Sequence, residues 1–227
     1  MTDGAPPTSA FTARERRVVA RLRTPAAVQA YLNALPYNTE PPPGRATLRS
    51  FRGVVAHGTA HCLEAAITAA VVLEQHGYPP LVMSLESIDA LDHVVFVYER
   101  GGRWGSVARS RDPGLHGRRP VFSTIRALAR SYVDPYVDRT GAIKAYGMTD
   151  LRVLGDYDWR LSPKNVWKVE RLLFDIPHRP LPTTPDRLAR LRTRYVAYLE
   201  AHGGRKPLYY DRRAWSALPD DYRGRRT

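Results

Sequence analysis

The sequence predicts an α+β fold: a small antiparallel sheet packed on a central cysteine-bearing helix, with a mostly helical C-terminal extension. Three observations carry that expectation. Behind the chain's single cysteine, Cys62, the apolar residues Leu63, Ala66, Ile67, Ala70, Val71 and Leu73 recur at helical spacing. Residues 81–85 and 93–98 are short apolar or β-branched runs, and Gly101-Gly102 marks a hairpin turn before a return strand over 104–109. From residue 123 onward the pattern is mainly helical, over 123–132, 163–174 and 188–202.

Taken in order, residues 1–12 are rich in Pro, Thr and Ser and are expected to be disordered. That leaves a single domain over 13–227, with its core at about 46–135. An amphipathic pattern (Val18, Val19, Leu22) breaks at Thr24-Pro25 and resumes through Val28, Tyr31, Leu32 and Leu35. Pro25 suits a first helical turn, with Thr24 as its cap. Pro36-Tyr37-Asn38 and then Pro41-Pro42-Pro43-Gly44 read as an extended crossing, because proline removes the donors a helix needs. A short apolar segment, 48–55, leads into the cysteine helix, for which Thr59 is the expected N-cap and Gly77 the expected end. Residues 177–185 are proline-rich and cross back. Trp159, Trp167, Leu172, Leu173, Phe174, Leu188, Leu191, Tyr195 and Tyr198 carry apolar surface that calls for packing on the cysteine-helix core. The chain closes with Tyr209, Tyr210, Trp215 and a basic tail.

A length of 227 residues, 43% hydrophobic and 25% charged, is that of an ordinary globular chain. No run reaches the ~18 apolar residues of a membrane span, and the start lacks a signal-peptide core. One cysteine excludes an intrachain disulfide and a multi-cysteine metal site. A cytoplasmic protein without metal or organic cofactor is the simplest expectation. The net charge of +13 favours anionic partners. Yet almost all of it is arginine, with lysine only at Lys144, Lys164, Lys168 and Lys206, a bias that a GC-rich genome also produces. The arginines are scattered apart from 14–23 and 223–226, and no nucleic-acid recognition motif accompanies them. A basic nucleic-acid-associated protein is therefore the weaker reading.

A thiol in the first turn of a helix faces unpaired N–H groups and the positive end of the macrodipole, which favours the thiolate. Otherwise a lone cysteine is a small buried apolar residue. His93, heading the strand His93-Val-Val-Phe-Val-Tyr98, is the imidazole best placed to serve it. Of the other histidines, His61 lies beside Cys62 but on another face of the helix. His57 sits in a loop, His76 near the helix end, and nothing places His116 or His178.

Gly58-Thr-Ala-His-Cys62 opening a helix, His93-Val-Val-Phe-Val-Tyr98 and Gly101-Gly-Arg-Trp104 together resemble the papain-like transglutaminase-like superfamily, over about the middle third of the chain. The resemblance implies Cys62 as nucleophile and His93 as its general base and acid. It implies acyl transfer or hydrolysis at a peptide or protein amide, with no cofactor. The Cys62 backbone N–H would be one oxyanion donor. The chain departs from the family where an acid is expected about four residues after the tryptophan, since that position is Ala108. With Arg100 opposite Arg103, the hairpin register sets His93 opposite Ser110. Ser106, Ala108, Ser110 and, if the strand continues, Asp112 then share its face, while Asp92 points to the other. Asp112 or Ser110 is thus the candidate third member, although Asp112-Pro113-Gly114 also reads as a turn. The missing acid equally suits a catalytically inactive module that binds a peptide or protein partner.

Overall fold

Every residue from Leu63 to Leu73 is buried in helix α4 (Cys62–Glu74), which follows from a sequence that, Glu64 apart, is apolar or small on all faces. The computed structural model describes residues 4–40 and 44–205. Around α4 stand α1 (Ala13–Arg21), α2 (Pro25–Ala34) and α3 (Phe51–His57). Thr24 caps α2 with Pro25 in its first turn, and Thr12 caps α1 in a reciprocal box with Glu15. Gly58 ends α3 at φ 69°, a left-handed conformation that frees the chain to turn at once toward Cys62.

Six antiparallel strands form one sheet. They are β1 (Leu81–Ser87), β2 (His93–Arg100), β3 (Arg103–Val107), β4 (Arg118–Phe122), β5 (Ile143–Asp150) and β6 (Arg179–Pro180), in the order β4-β3-β2-β1-β5-β6. The hairpin register is the expected one, from Arg100 opposite Arg103 to Phe96 opposite Val107. Gly101 and Gly102, at φ 59° and 70°, supply the positive-φ turn that the strand twist requires. Strand alternation separates two cores. Val82, Val94, Phe96, Tyr98 and Val107 face α4, whereas Met83, Leu85, Val95 and Val97 pack on α5 (Ile125–Tyr136) through Leu128, Ala129, Tyr132 and Val133.

The sheet is larger than the sequence indicated. Strand β5, beside β1, is a Lys-, Gly- and Met-containing segment (IKAYGMTD) with little β-branched character. Strand β4 carries Pro120, which is compatible with the sheet edge it occupies. The cysteine helix begins at His61 as N-cap, two residues later than Thr59. Within the first twelve residues, Thr8–Ala10 form a short 3-10 turn and Phe11 is buried edge-on against Phe51.

After β5 the chain returns to the α4 side. Trp159, Leu161, Val166, Val169 and Leu173 belong to the same core as α4, and Arg160 makes a two-pronged ion pair with Glu74 at 2.7 Å. Helix α6 (Trp167–Asp175) buries only Val169 and Leu173, leaving Trp167 and Phe174 exposed rather than packed inside. Helix α7 (Pro185–Ala201) buries only Tyr195. Its arginine-rich surface is fixed partly by the Arg187–Asp134 pair at 2.8 Å. The Pro41-Pro42-Pro43 run and the tail with Tyr209, Tyr210 and Trp215 lie outside the described residues. Among the described residues no helix is long and apolar enough to cross a membrane.

Candidate active site

Cys62 is the first residue of α4 and sits half-buried at the floor of a cleft of about 370 Å³. Burial pushes its thiol pKa up, but hydrogen bonds from His61 and His93 and the charge of both imidazoles overcome this and bring it down to about 5. The sequence separated these groups by 31 positions in one case and placed them adjacent in the other. The fold sets both at one sulfur.

His93, the first residue of β2, is buried. Its Nε2 lies 2.8 Å from the carbonyl oxygen of Leu115. A carbonyl only accepts, so Nε2 carries the proton and Nδ1 is left to face the sulfur. The sheet register stops at Phe96–Val107, and the chain beyond β3 leaves the strand instead of continuing to pair with His93. Residues Pro113–Leu115 close a short 3-10 turn that brings the Leu115 carbonyl to the imidazole.

Asp112 and Ser110 line the His93 side of the cleft. The Ser110 hydroxyl accepts from the Asp112 N–H at 3.1 Å, and Asp112 Oδ1 accepts from the Gly114 N–H at 3.1 Å. Both therefore build the turn that carries Leu115. Buried Arg118 reinforces it, donating to Gly114 O at 2.6 Å and His116 O at 2.5 Å with its guanidinium 4.2 Å over the Tyr132 ring. Ala108 is fully buried, and Gln29 takes both its N–H and its C=O, at 2.9 and 2.8 Å. The Ala108 side chain itself lies in the apolar core on the α5 side of the sheet. Asp92 caps its own loop by accepting from the Ser87 N–H at 2.9 Å.

Three further groups were not legible as site residues. His61 sits against the thiol, with Nε2 donating to Thr47 O at 3.0 Å. Burial lowers its pKa, but the hydrogen bond to Cys62 and the charge of Glu64 outweigh this and raise it to about 9. Tyr37 arrives on the extended 36–38 segment, which pairs with Ala60 just ahead of the cysteine. Its hydroxyl lies against the Cys62 backbone N–H, and Arg109 and Arg111 stand 5.6 and 5.9 Å from its ring centre. Burial, followed by the neighbouring Cys62, holds that phenol well above its ordinary pKa, so it remains a donor. Asn38 on the same segment bonds Glu64 at 3.1 Å. The only advance signal was that a proline-framed extended segment must cross somewhere. His76 and His178 stand apart from the thiol in the bonds they make, His76 on Val19 O and His178 on Ile176 O.

No family model matches the chain, and no curated protein matches it. Among solved structures, LapG of Legionella pneumophila is similar at 16% identity, over 66% of this chain and 90% of that one, with a TM-score of 0.38. Its calcium-bound form is similar at 15% identity over 73% and 94%, also at 0.38, and its EGTA-treated form at 14% and 0.37. At that level of superposition the similarity carries no argument, and the reading of the site rests on the geometry of Cys62 and its neighbours.

Proposed function

We propose that this protein is a cysteine-dependent acyl-transfer enzyme of transglutaminase-like type, acting on the amide bonds of peptides or proteins. The observation that carries the reading is a helix-start thiol hydrogen-bonded to an imidazole whose other nitrogen is anchored at 2.8 Å on a backbone carbonyl. Such a pair can lose a proton from sulfur and return it to nitrogen. The Cys62 sulfur adds to the substrate carbonyl carbon, and the resulting oxyanion is met by the Cys62 N–H and the Tyr37 hydroxyl. His93 Nδ1 then gives its proton to the leaving amine as the C–N bond breaks, producing a thioester. Water or a second amine attacks, His93 takes its proton, and the C–S bond breaks to restore the cysteine. In this scheme Asp112 and Ser110 hold the turn that presents Leu115.

Exposed Trp167, Phe174 and Leu91 line the same cleft as Cys62 and offer apolar surface to a peptide. Binding energy gathered there can orient an amide over the sulfur. The test is labelling with a peptide-derived electrophile, followed by assay of a peptide library with wild type and Cys62→Ala. Turnover lost in the variant supports the enzyme.

A second reading, an inactive module that holds a peptide in the same cleft, is favoured by one observation. The position where an acid is expected is Ala108, fully buried and without a carboxylate to offer. Peptide binding that is unchanged in Cys62→Ala, with no turnover in wild type, would establish it.

A further inference from the structure

Resting on the reading of Cys62 as nucleophile, we infer that His61 is a resident cation that holds Cys62 as thiolate, leaving His93 alone to carry the mobile proton. Two imidazoles on one sulfur are one more than proton transfer requires, and their surroundings differ.

His61 Nε2 is given to the Thr47 carbonyl at 3.0 Å. Its Nδ1 can donate to sulfur only when the ring is charged. The charge has a built counterpart. Glu64 is wholly buried, with Oε1 3.7 Å from His61 Nε2. Its oxygens accept from neutral donors, the His61 N–H at 3.1 Å, the Arg49 N–H at 3.0 Å and Asn38 Nδ2 at 3.1 Å. A carboxylate removed from water requires positive charge nearby. Arg49 Nε, at 3.8 Å, supplies part of it, and His61 stands on the other side between the carboxylate and the sulfur. Thiolate, imidazolium and carboxylate thus form an alternating row at the N-terminus of α4.

His93, like His61, gives its Nε2 to a carbonyl, that of Leu115, whereas the wholly buried carboxylate of Glu64 stands 3.7 Å from His61. The mobile proton is therefore assigned to His93, which must be neutral at one step and charged at the next. The other charged or titratable groups lining the cleft are Tyr37, Glu40, Asp92, Arg111 and Glu170, and on its His93 side Asp89, Asp112, Tyr136 and Asp138. Arg111 adds positive charge on the same side as His93, while Glu40 is bound to the Thr47 N–H and hydroxyl.

The experiment measures the iodoacetamide alkylation rate of Cys62 against pH, followed by mass spectrometry, for wild type, His61→Gln and His93→Gln. Glutamine can keep the Thr47 bond without the charge. His61→Gln is expected to raise the alkylation midpoint by about one to three pH units, the effect of losing an adjacent opposite charge. His93→Gln is expected to move it less. A midpoint unchanged in His61→Gln, or moved further by His93→Gln, overturns the assignment. Should His61→Gln not fold, histidine NMR of the wild type decides. A His61 ring that is charged at neutral pH supports the inference, and a neutral one overturns it. Alkylation needs no substrate, so a shifted midpoint without amide turnover would sink the enzyme reading and leave this one standing.

Discussion

The Nε2 of His93 and the carbonyl oxygen of Leu115 lie 2.8 Å apart, and in the proposed mechanism this contact takes the place of a carboxylate side chain. It fixes the tautomer and the ring orientation without adding charge. The oxygen is held in place by the 112–118 turn, through Asp112, Arg118 and the Tyr132 hydroxyl, which donates to His116 O at 3.1 Å.

The first prediction follows from that division. A charge-assisted hydrogen bond exceeds a neutral one by roughly 1–1.5 kcal/mol, about tenfold in rate. Asp112→Asn keeps an oxygen for the Gly114 N–H and is expected to lower kcat by less than about tenfold. Asp112→Ala and Ser110→Ala loosen the turn and should cost more stability than Asp112→Asn. A loss of ~10²-fold or more in Asp112→Asn alone would put the carboxylate charge into the proton-transfer step.

Tyr37→Phe removes one donor from the space above the Cys62 N–H. Loss of a single oxyanion donor costs ~10²-fold in kcat. The expectation is a fall of that order with little change in KM and no change in Cys62 alkylation by iodoacetamide. Steady-state kinetics on a peptide substrate, run beside the alkylation assay, would expose a purely structural role if both rates dropped together.

Stability should carry a signature of the thiolate. The folded Cys62 pKa, about 5, lies below the 9.0 of an ordinary thiol. Its contribution is therefore fully present above the unfolded value, shrinks as pH falls, and is gone once pH has dropped through about 5. The difference in Tm between wild type and Cys62→Ser should narrow steadily toward acid pH. A difference that is flat from neutral to acid pH would mean that the thiol is not ionised in the folded protein.

Trp159 is fully buried, stacked against Arg160 at 4.1 Å, in the core that contains α4. Trp159→Ala is expected to destabilise the whole chain by about 3–5 kcal/mol in one cooperative transition. Urea unfolding measures this. A loss below about 1 kcal/mol, or a separate early transition confined to the C-terminal part, would show that residues after β5 fold as their own unit.

What the sequence determined by itself was local. Continuous apolar spacing behind Cys62 dictates a buried helix. Gly101-Gly102 dictates the hairpin, and from the hairpin its register follows by counting. These depend on backbone sterics and on burial along one element, and both are written in neighbouring residues. The site was decided by tertiary structure. His93's partner is a main-chain oxygen, which has no residue type to recognise. His61 was set aside from helical-face geometry, but as N-cap it has an extended backbone, φ −89° and ψ −176°, so helical-face geometry does not apply to it. Tyr37 reaches the thiol through a single bridge to Ala60 across a loop. Strand β5 owes its place to pairing with β1, which supplies hydrogen bonds that its own composition does not announce. Contacts between residues far apart in the chain leave no periodic trace, and here they bring His93, Tyr37 and the carbonyls of Thr47 and Leu115 to the cysteine cleft.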